Sequence, residues 1–323
     1  MVNKIINSEI ISCGSYLPEK IITNFDLEKK VDTTDEWIFE RTGIKERHIV
    51  AQNQLTSDIG YLAAKKAIEK SGLDITDIDM IIVATTTPDL TFPATAVLIQ
   101  SKLGMKQGFA FDIQAVCSGF VYALNIANNF IKTGQVKNAV VIGVDILSRI
   151  VDWKDRNTCV LFGDGAGAVV LRATDDAKRG ILTASLYSDG SLSDILKTSG
   201  GTASTGSSGF INMAGKEVFK HAVEKMSKSI IDILEKVNME VKDIDWLIPH
   251  QANARILSAI AKKIALSENK VIVTVEKHAN TSAASIPLAL DWALENNKIK
   301  KGDIVVMEAL GGGLTWGSLV VRW

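Results

Sequence analysis

Along the chain, short β-branched apolar runs alternate with longer segments in which apolar residues recur every three or four positions. The short runs predict strands over 81–85, 109–113, 139–144, 160–162, 168–171, 247–248, 271–275, 304–308 and 318–322. The longer segments predict amphipathic helices over 56–71, 118–133, 217–237 and 282–296. The first two run into Gly72 and Gly134, the residue type that closes a helix in the left-handed conformation. Strands joined by helical crossovers imply an α/β fold with buried sheets.

The pattern repeats. TDIDMII around Asp79 returns as KDIDWLI around Asp245, an offset of 166, and KNAVVI from Lys137 returns as KGDIVV from Lys301, an offset of 164. A looser third match pairs the run before Gly14 with 181–188. Matches in one order at similar offsets read as a duplication, with an N-terminal half over 1–174 and a C-terminal half over 175–323, meeting at the charged stretch TDDAKRG. Carrying the 164 offset forward from Cys117 reaches 281, beside Asn280, so the two residues are expected at matching strand-to-helix junctions.

Composition narrows the function. With 46% hydrophobic and 23% charged residues the 323-residue chain has the profile of a globular enzyme. Its 36 basic and 37 acidic side chains leave a net charge of -1. That balance supplies no field to hold a nucleic acid, so any basic contact must be local. Cys13, Cys117 and Cys159 are odd in number and lack metal-knuckle spacing, which argues against a disulfide framework or a zinc site. The opening MVNKIINSEIISCGSY is interrupted by polar residues, and no apolar run reaches the roughly 18 residues of a membrane span. A cytoplasmic protein with no membrane partner is expected.

Cys117 lies in DIQAVCSGF, after an apolar strand and before a helix, where free N–H groups and the positive helix end favour thiolate. Read locally, a buried structural cysteine is the competing assignment, and Cys13 and Cys159, within β-like runs, receive it. His250 follows WLIP in PHQAN, and Asn280 lies in HANTSAAS, where a helix N-cap is the alternative role. GDGAGA (163–168) runs into VVLR rather than into a helix, so it reads as a tight turn between strands and not as a dinucleotide loop. GGGLTWG (311–317) has three glycines in a row, best explained by close approach of backbone N–H groups to a ligand or reacting oxygen; a tight hairpin, the alternative, accounts for one glycine better than for three. In DEWIFERTGIKERHIV, Trp37 with Arg41, Lys45 and Arg47 suits an aromatic base and its phosphates, or an ordinary charged surface helix.

Taken together, AVCSGF at Cys117, PHQAN at His250, HANTSAAS at Asn280, FGDGAGA at Phe162 and EALGGGLTWGS at Glu308 resemble the β-ketoacyl-acyl carrier protein synthase III family almost from end to end. The resemblance implies a thiolase-type five-layer α-β-α-β-α fold made of two duplicated halves, in a homodimer. It implies a catalytic triad of Cys117, His250 and Asn280. Acetyl would pass from acetyl-CoA to Cys117, with N–H groups of Cys117 and Gly312 as the oxyanion hole. Malonyl-acyl carrier protein would then lose carbon dioxide, its enolate held by His250 and Asn280, and attack the acyl-cysteine. The product would be acetoacetyl-carrier protein, which initiates type II fatty acid synthesis. Coenzyme A thioester enters as substrate, and no metal or redox cofactor is implied.

Further positions follow from the resemblance one at a time. Trp37 and Arg156 would sandwich the adenine of coenzyme A, Arg41 would meet its phosphates, and Asn253 would line the pantetheine tunnel. Lys220 and Arg255 would meet the acidic carrier protein. Phe92 would close the acyl pocket of the other subunit. Leu310 and Leu314 stand where close relatives commonly carry phenylalanine, and Leu310, beside the cysteine, opens the alternative of a branched or longer acyl primer. Asn157 replaces a common glycine.

Overall fold

The computed structural model describes residues 7–323; residues 1–6, part of the opening stretch considered above, lie outside it. Two sheets carry the fold. The first runs in the order Asn7–Tyr16, Asp164–Thr174, Asn138–Ile146, Met80–Ala84, Phe109–Ile113. The second repeats that order as Gly180–Ser188, Thr315–Arg322, Ile304–Gly311, Trp246–Pro249. Where Phe109–Ile113 pairs in parallel with Met80–Ala84, the second sheet keeps only a bridge between Leu247 and Val271. The chain crosses from one sheet to the other between Thr174 and Gly180.

Helices Thr56–Ser71 and Thr95–Lys102 cover the outer face of the first sheet, and Gly215–Glu235 with Ala254–Lys263 cover that of the second. Gly119–Lys132 and Ser285–Glu295 lie between the sheets, completing five layers. Their position explains their composition: a helix packed on both faces must be apolar nearly all round. Phe120, Val121, Leu124, Ile286 and Leu290 are all buried, in one core with Ile82, Val141, Met307 and Leu319 of the strands. Gly72 and Gly134 take the expected left-handed conformation, at φ 73° and 76°.

From Met80 to Asn138 the element starts of the first half recur in the second at an offset of 166, at Trp246, Ser282, Ser285 and Ile304. The short 3-10 turn Val116–Ser118 before one central helix corresponds to Ser282–Ala284 before the other. The counterpart of Cys117 is therefore Ala283, two residues beyond the position that the 164 offset reaches.

Three local expectations are corrected. GDGAGA is not a turn; it forms the start of strand Asp164–Thr174. A side chain at Gly167 would lie 2.6 Å from the Pro287 side chain, so these glycines let a central helix approach the sheet. Residues 160 and 161 lie in a turn together with Cys159, and Phe162 forms only an isolated bridge with Asn280. The Val160 carbonyl is taken by the Arg47 guanidinium at 3.0 Å instead of by a ladder. Residues 271–275 likewise fail to continue as a strand, because the Gln251 side chain donates to Ile272 O (3.1 Å) and accepts from Thr274 N–H (2.8 Å). Among the described residues no helix is long and apolar enough to cross a membrane.

Candidate active site

The carboxyl ends of strands from both sheets open on one cavity of about 1730 Å³, larger than the 300–1,000 Å³ of ordinary ligand pockets. Cys117, His250, Asn280, Ser282, Leu310 and Gly312 share its wall.

Cys117 is held on the Val116–Ser118 turn, preceded by Val116 at φ 48°. The Ser118 hydroxyl lies 2.7 Å from Ala115 O and 2.8 Å from Thr315 Oγ1, fastening this turn to the glycine turn of the second sheet. The fastening is tight: a Cβ on Gly311 would lie 2.6 Å from Cys117 N and 2.9 Å from Ala115 O. On Gly312 it would meet Leu196 O at 2.8 Å. Close approach of backbone therefore accounts for Gly311 and Gly312, and a φ of 133° for Gly313.

Burial dominates the thiol's ionisation. It pushes Cys117 up to about 12; the Ser282 hydroxyl pulls down and the Asp145 carboxyl pushes up. Desolvation of the anion is the largest influence on the thiol, and it opposes the thiolate that the local reading expects from the helix end.

His250 ends strand Trp246–Pro249 and donates its N–H to Glu308 O at 2.7 Å. Its ring Nδ1 lies 2.7 Å from Ser285 Oγ, and burial holds its pKa down to about 3, so it is neutral at pH 7. Asn280 donates its N–H to Leu161 O and accepts from Gly163 N–H. Its side-chain Oδ1 accepts from Ser282 N–H at 2.9 Å, which uses the acceptor end of the amide and leaves the donor end for the cavity.

Asp145 lies behind Ser282. Its Oδ1 accepts from the Thr86 N–H (2.7 Å) and the Thr85, Thr86 and Thr87 hydroxyls, and its Oδ2 from Ala283 N–H. It joins the loop after Met80–Ala84 to the turn carrying Ser282.

The remaining candidates divide. Asn253 lines the cavity and N-caps helix Ala254–Lys263 through Ile256 N–H (3.0 Å). Arg41 and Arg255 line the mouth. Arg41 and Arg156 lie over the Trp37 ring, at 4.5 and 5.1 Å, and Arg156 also donates to Asp32 O at 2.7 Å. Arginine thus occupies the indole where an adenine is expected. Trp37, Arg156, Lys220 and Phe92 do not reach the cavity wall; Lys220 is exposed on the helix whose Lys216 and Phe219 do. Phe92 is 82% exposed. Arg47 is no surface partner of Trp37: its guanidinium is wholly buried, bonded to Ile22 O and Val160 O.

Sequence reading passed over Asp145 and Ser285, and noted Gln251 only as a neighbour of His250 and Ser282 only as a rival N-cap to Asn280. Asp145 had a signal, a lone carboxylate inside the apolar run VVIGVDI, and Ser285 stands one helical turn beyond the HANTS core.

Fold and cavity together define the class, a thiolase-type condensing acyltransferase. The family described as 3-oxoacyl-[acyl-carrier-protein] synthase III matches residues 111–190, and its C-terminal domain matches residues 234–323. The chain is 56% identical to the β-ketoacyl-[acyl-carrier-protein] synthase III of Ehrlichia canis over 98% of its own length and 99% of that protein. It is 55% identical, with the same coverage, to that of Paramagnetospirillum magneticum. The crystal structure of the Aquifex aeolicus synthase III superimposes with a TM-score of 0.94 at 48% identity, covering 98% of this chain and all of that one. The chain belongs to the β-ketoacyl-acyl carrier protein synthase III family and is a condensing enzyme of fatty acid initiation.

Proposed function

We propose that this enzyme condenses acetyl-CoA with malonyl-acyl carrier protein, giving acetoacetyl-carrier protein, coenzyme A and carbon dioxide. The observation that carries the reading is the convergence of Cys117, His250 and Asn280 on one cavity whose lining also includes Arg41 and Arg255. In the first stage Cys117 sulfur attacks the thioester carbonyl, and N–H groups of Cys117 and Gly312 hold the oxyanion. Coenzyme A leaves, and the proton lost from the thiol is balanced by the one the departing thiolate takes up. In the second stage the Nε2–H of His250 and the amide of Asn280 donate to the malonyl thioester carbonyl. Loss of carbon dioxide leaves an enolate on that oxygen, its carbon attacks the acyl-cysteine, and collapse frees the Cys117 thiolate, which is reprotonated. Each step is acyl transfer or decarboxylation, so no metal or redox cofactor is called for.

Arg41, Trp37, Arg156 and Asn253 would hold coenzyme A. The adenine must first displace Arg156 from Trp37. Lys220 and Arg255, exposed beside the mouth, suit an acidic carrier protein. The exposure of Phe92 supports a homodimer in which it closes the partner's acyl pocket. The cavity volume and Leu310 support a second reading, the same reaction with a branched or longer primer.

Intact-protein mass spectrometry after incubation with acetyl-, isobutyryl- or hexanoyl-CoA tests both. An acetyl adduct absent from Cys117→Ser supports the first reading, and selective loading of a larger acyl group supports the second. No adduct from any donor would sink both.

A further inference from the structure

Ser285 is the first residue of central helix Ser285–Glu295 and is 1% exposed. Its hydroxyl has two neighbours within hydrogen-bond distance. The Gln251 N–H points to Oγ at 3.3 Å, and as a donor it can only occupy a lone pair. The other neighbour is His250 Nδ1 at 2.7 Å. A serine hydroxyl has one proton, and among the described residues no carbonyl or carboxylate lies within reach of this one. The Oγ–H therefore has a single acceptor, His250 Nδ1, and that assignment gives both the hydroxyl proton and Nδ1 a partner.

The rest of the cluster keeps Ser285 and the imidazole in register. Gln251, adjacent to His250, is clamped through Pro249 O (2.8 Å), Ile272 O and Thr274 N–H. His250 N–H is anchored to Glu308 O. Nε2, the opposite nitrogen, has no partner among the described residues.

We propose that Ser285 is a positioning residue: by donating to Nδ1 it holds His250 as the neutral Nε2–H tautomer, with the donor directed at the cavity. The inference deepens the condensation reading above and rests on it. It also limits His250. With Nδ1 occupied and Nε2 protonated, the imidazole has no free lone pair with which to take the Cys117 proton, so it donates to the malonyl thioester oxygen and does not act as base in the acylation stage. A serine one helical turn beyond the Asn280 motif thereby separates the two half-reactions.

The test compares wild type, Ser285→Ala and Ser285→Thr. Imidazole ¹⁵N spectra, with His250 assigned against His250→Gln, report the tautomer without any reaction. Wild type is expected as Nε2–H, and Ser285→Ala is expected to show a mixed population. Acetylation of Cys117, followed by mass, is expected to stay within about twofold in Ser285→Ala. Condensation of the preacylated enzyme with malonyl-carrier protein is expected to fall about 10- to 100-fold, the rate equivalent of losing one buried orienting hydrogen bond. Ser285→Thr, which keeps the hydroxyl, should recover condensation relative to the alanine variant. A wild-type Nδ1–H tautomer overturns the proposal, as does a condensation rate unchanged in Ser285→Ala or an equal loss in both stages. Failure of wild type to acylate from any donor would refute the condensation reading instead, while the ¹⁵N spectra still decide the tautomer.

Discussion

Replacing Gly311 by alanine probes the seam between the two halves. The added Cβ would lie 2.6 Å from Cys117 N, 2.9 Å from Ala115 O and 3.1 Å from Ser118 N. All three are backbone atoms of the nucleophile turn, so no flexible side chain can yield. Ordinary contact begins at 3.4 Å, and the turn must retreat by about 0.8 Å from its nearest atom. A 1 Å misplacement of reacting groups costs about 10²-fold in rate, so acetylation of Cys117 should fall by roughly 50- to 100-fold. Overpacking should cost about 1–3 kcal/mol of stability, a loss of a few degrees in Tm for a chain this long. The assay is the time course of acetyl adduct formation, with a thermal melt to show that the variant is folded. Gly72→Ala is the control: its Cβ meets nothing within 4 Å, but φ is 73°. It should lose about 1–2 kcal/mol through left-handed strain and acetylate normally. A folded Gly311→Ala enzyme acetylating within about threefold of wild type would refute the claim that this contact sets the position of Cys117.

Three further predictions follow from buried groups. His250 and His278 are held down to about 3 and 4 by burial, so the unfolded chain binds more protons than the folded one below pH 6.5. Stability is then complete above that pH and falls progressively toward pH 3 to 4; His250→Gln should flatten part of this slope in melts recorded across the range. Glu308 is fully buried with neither carboxyl oxygen hydrogen-bonded, and burial raises its pKa well above the usual range. The folded state here binds the extra proton, so stability declines as pH rises above about 4.3, and Glu308→Gln should raise Tm at pH 8 more than at pH 5. Leu310→Phe adds bulk to a 4% exposed residue on the cavity wall; it should lower loading of hexanoyl relative to acetyl groups by about tenfold, a cost of roughly 1–3 kcal/mol for overpacking, and an unchanged ratio would show that Leu310 does not bound the acyl chain.

The sequence by itself determined the elements whose periodicity is strong and whose neighbours are local. Helix Thr56–Ser71 and strand Phe109–Ile113 fall where the pattern placed them, and the recurrence of TDIDMII announced two sheets of one order. Cys117 and His250 could be singled out because each follows a strand end in a short motif, whereas Asn280 lies between two short helical turns and stands out only by its motif. Tertiary structure decided whatever depends on a partner distant in the chain. Residues 160–162 and 271–275 have the composition of strands, but each keeps only a bridge to a neighbouring segment, with Arg47 taking Val160 O and Gln251 taking Ile272 O. Arg47 belongs to a charged surface motif by pattern and to the core by contact. The direction of the Cys117 pKa also lay beyond local reading, because the helix end is a near-neighbour feature, whereas the desolvation that raises the pKa arises from burial of the thiol in the folded chain. Ser285 shows the same limit. Its spacing along the helix was visible, but the proton it has to give acquires an acceptor only when His250, 35 residues earlier, is folded against it.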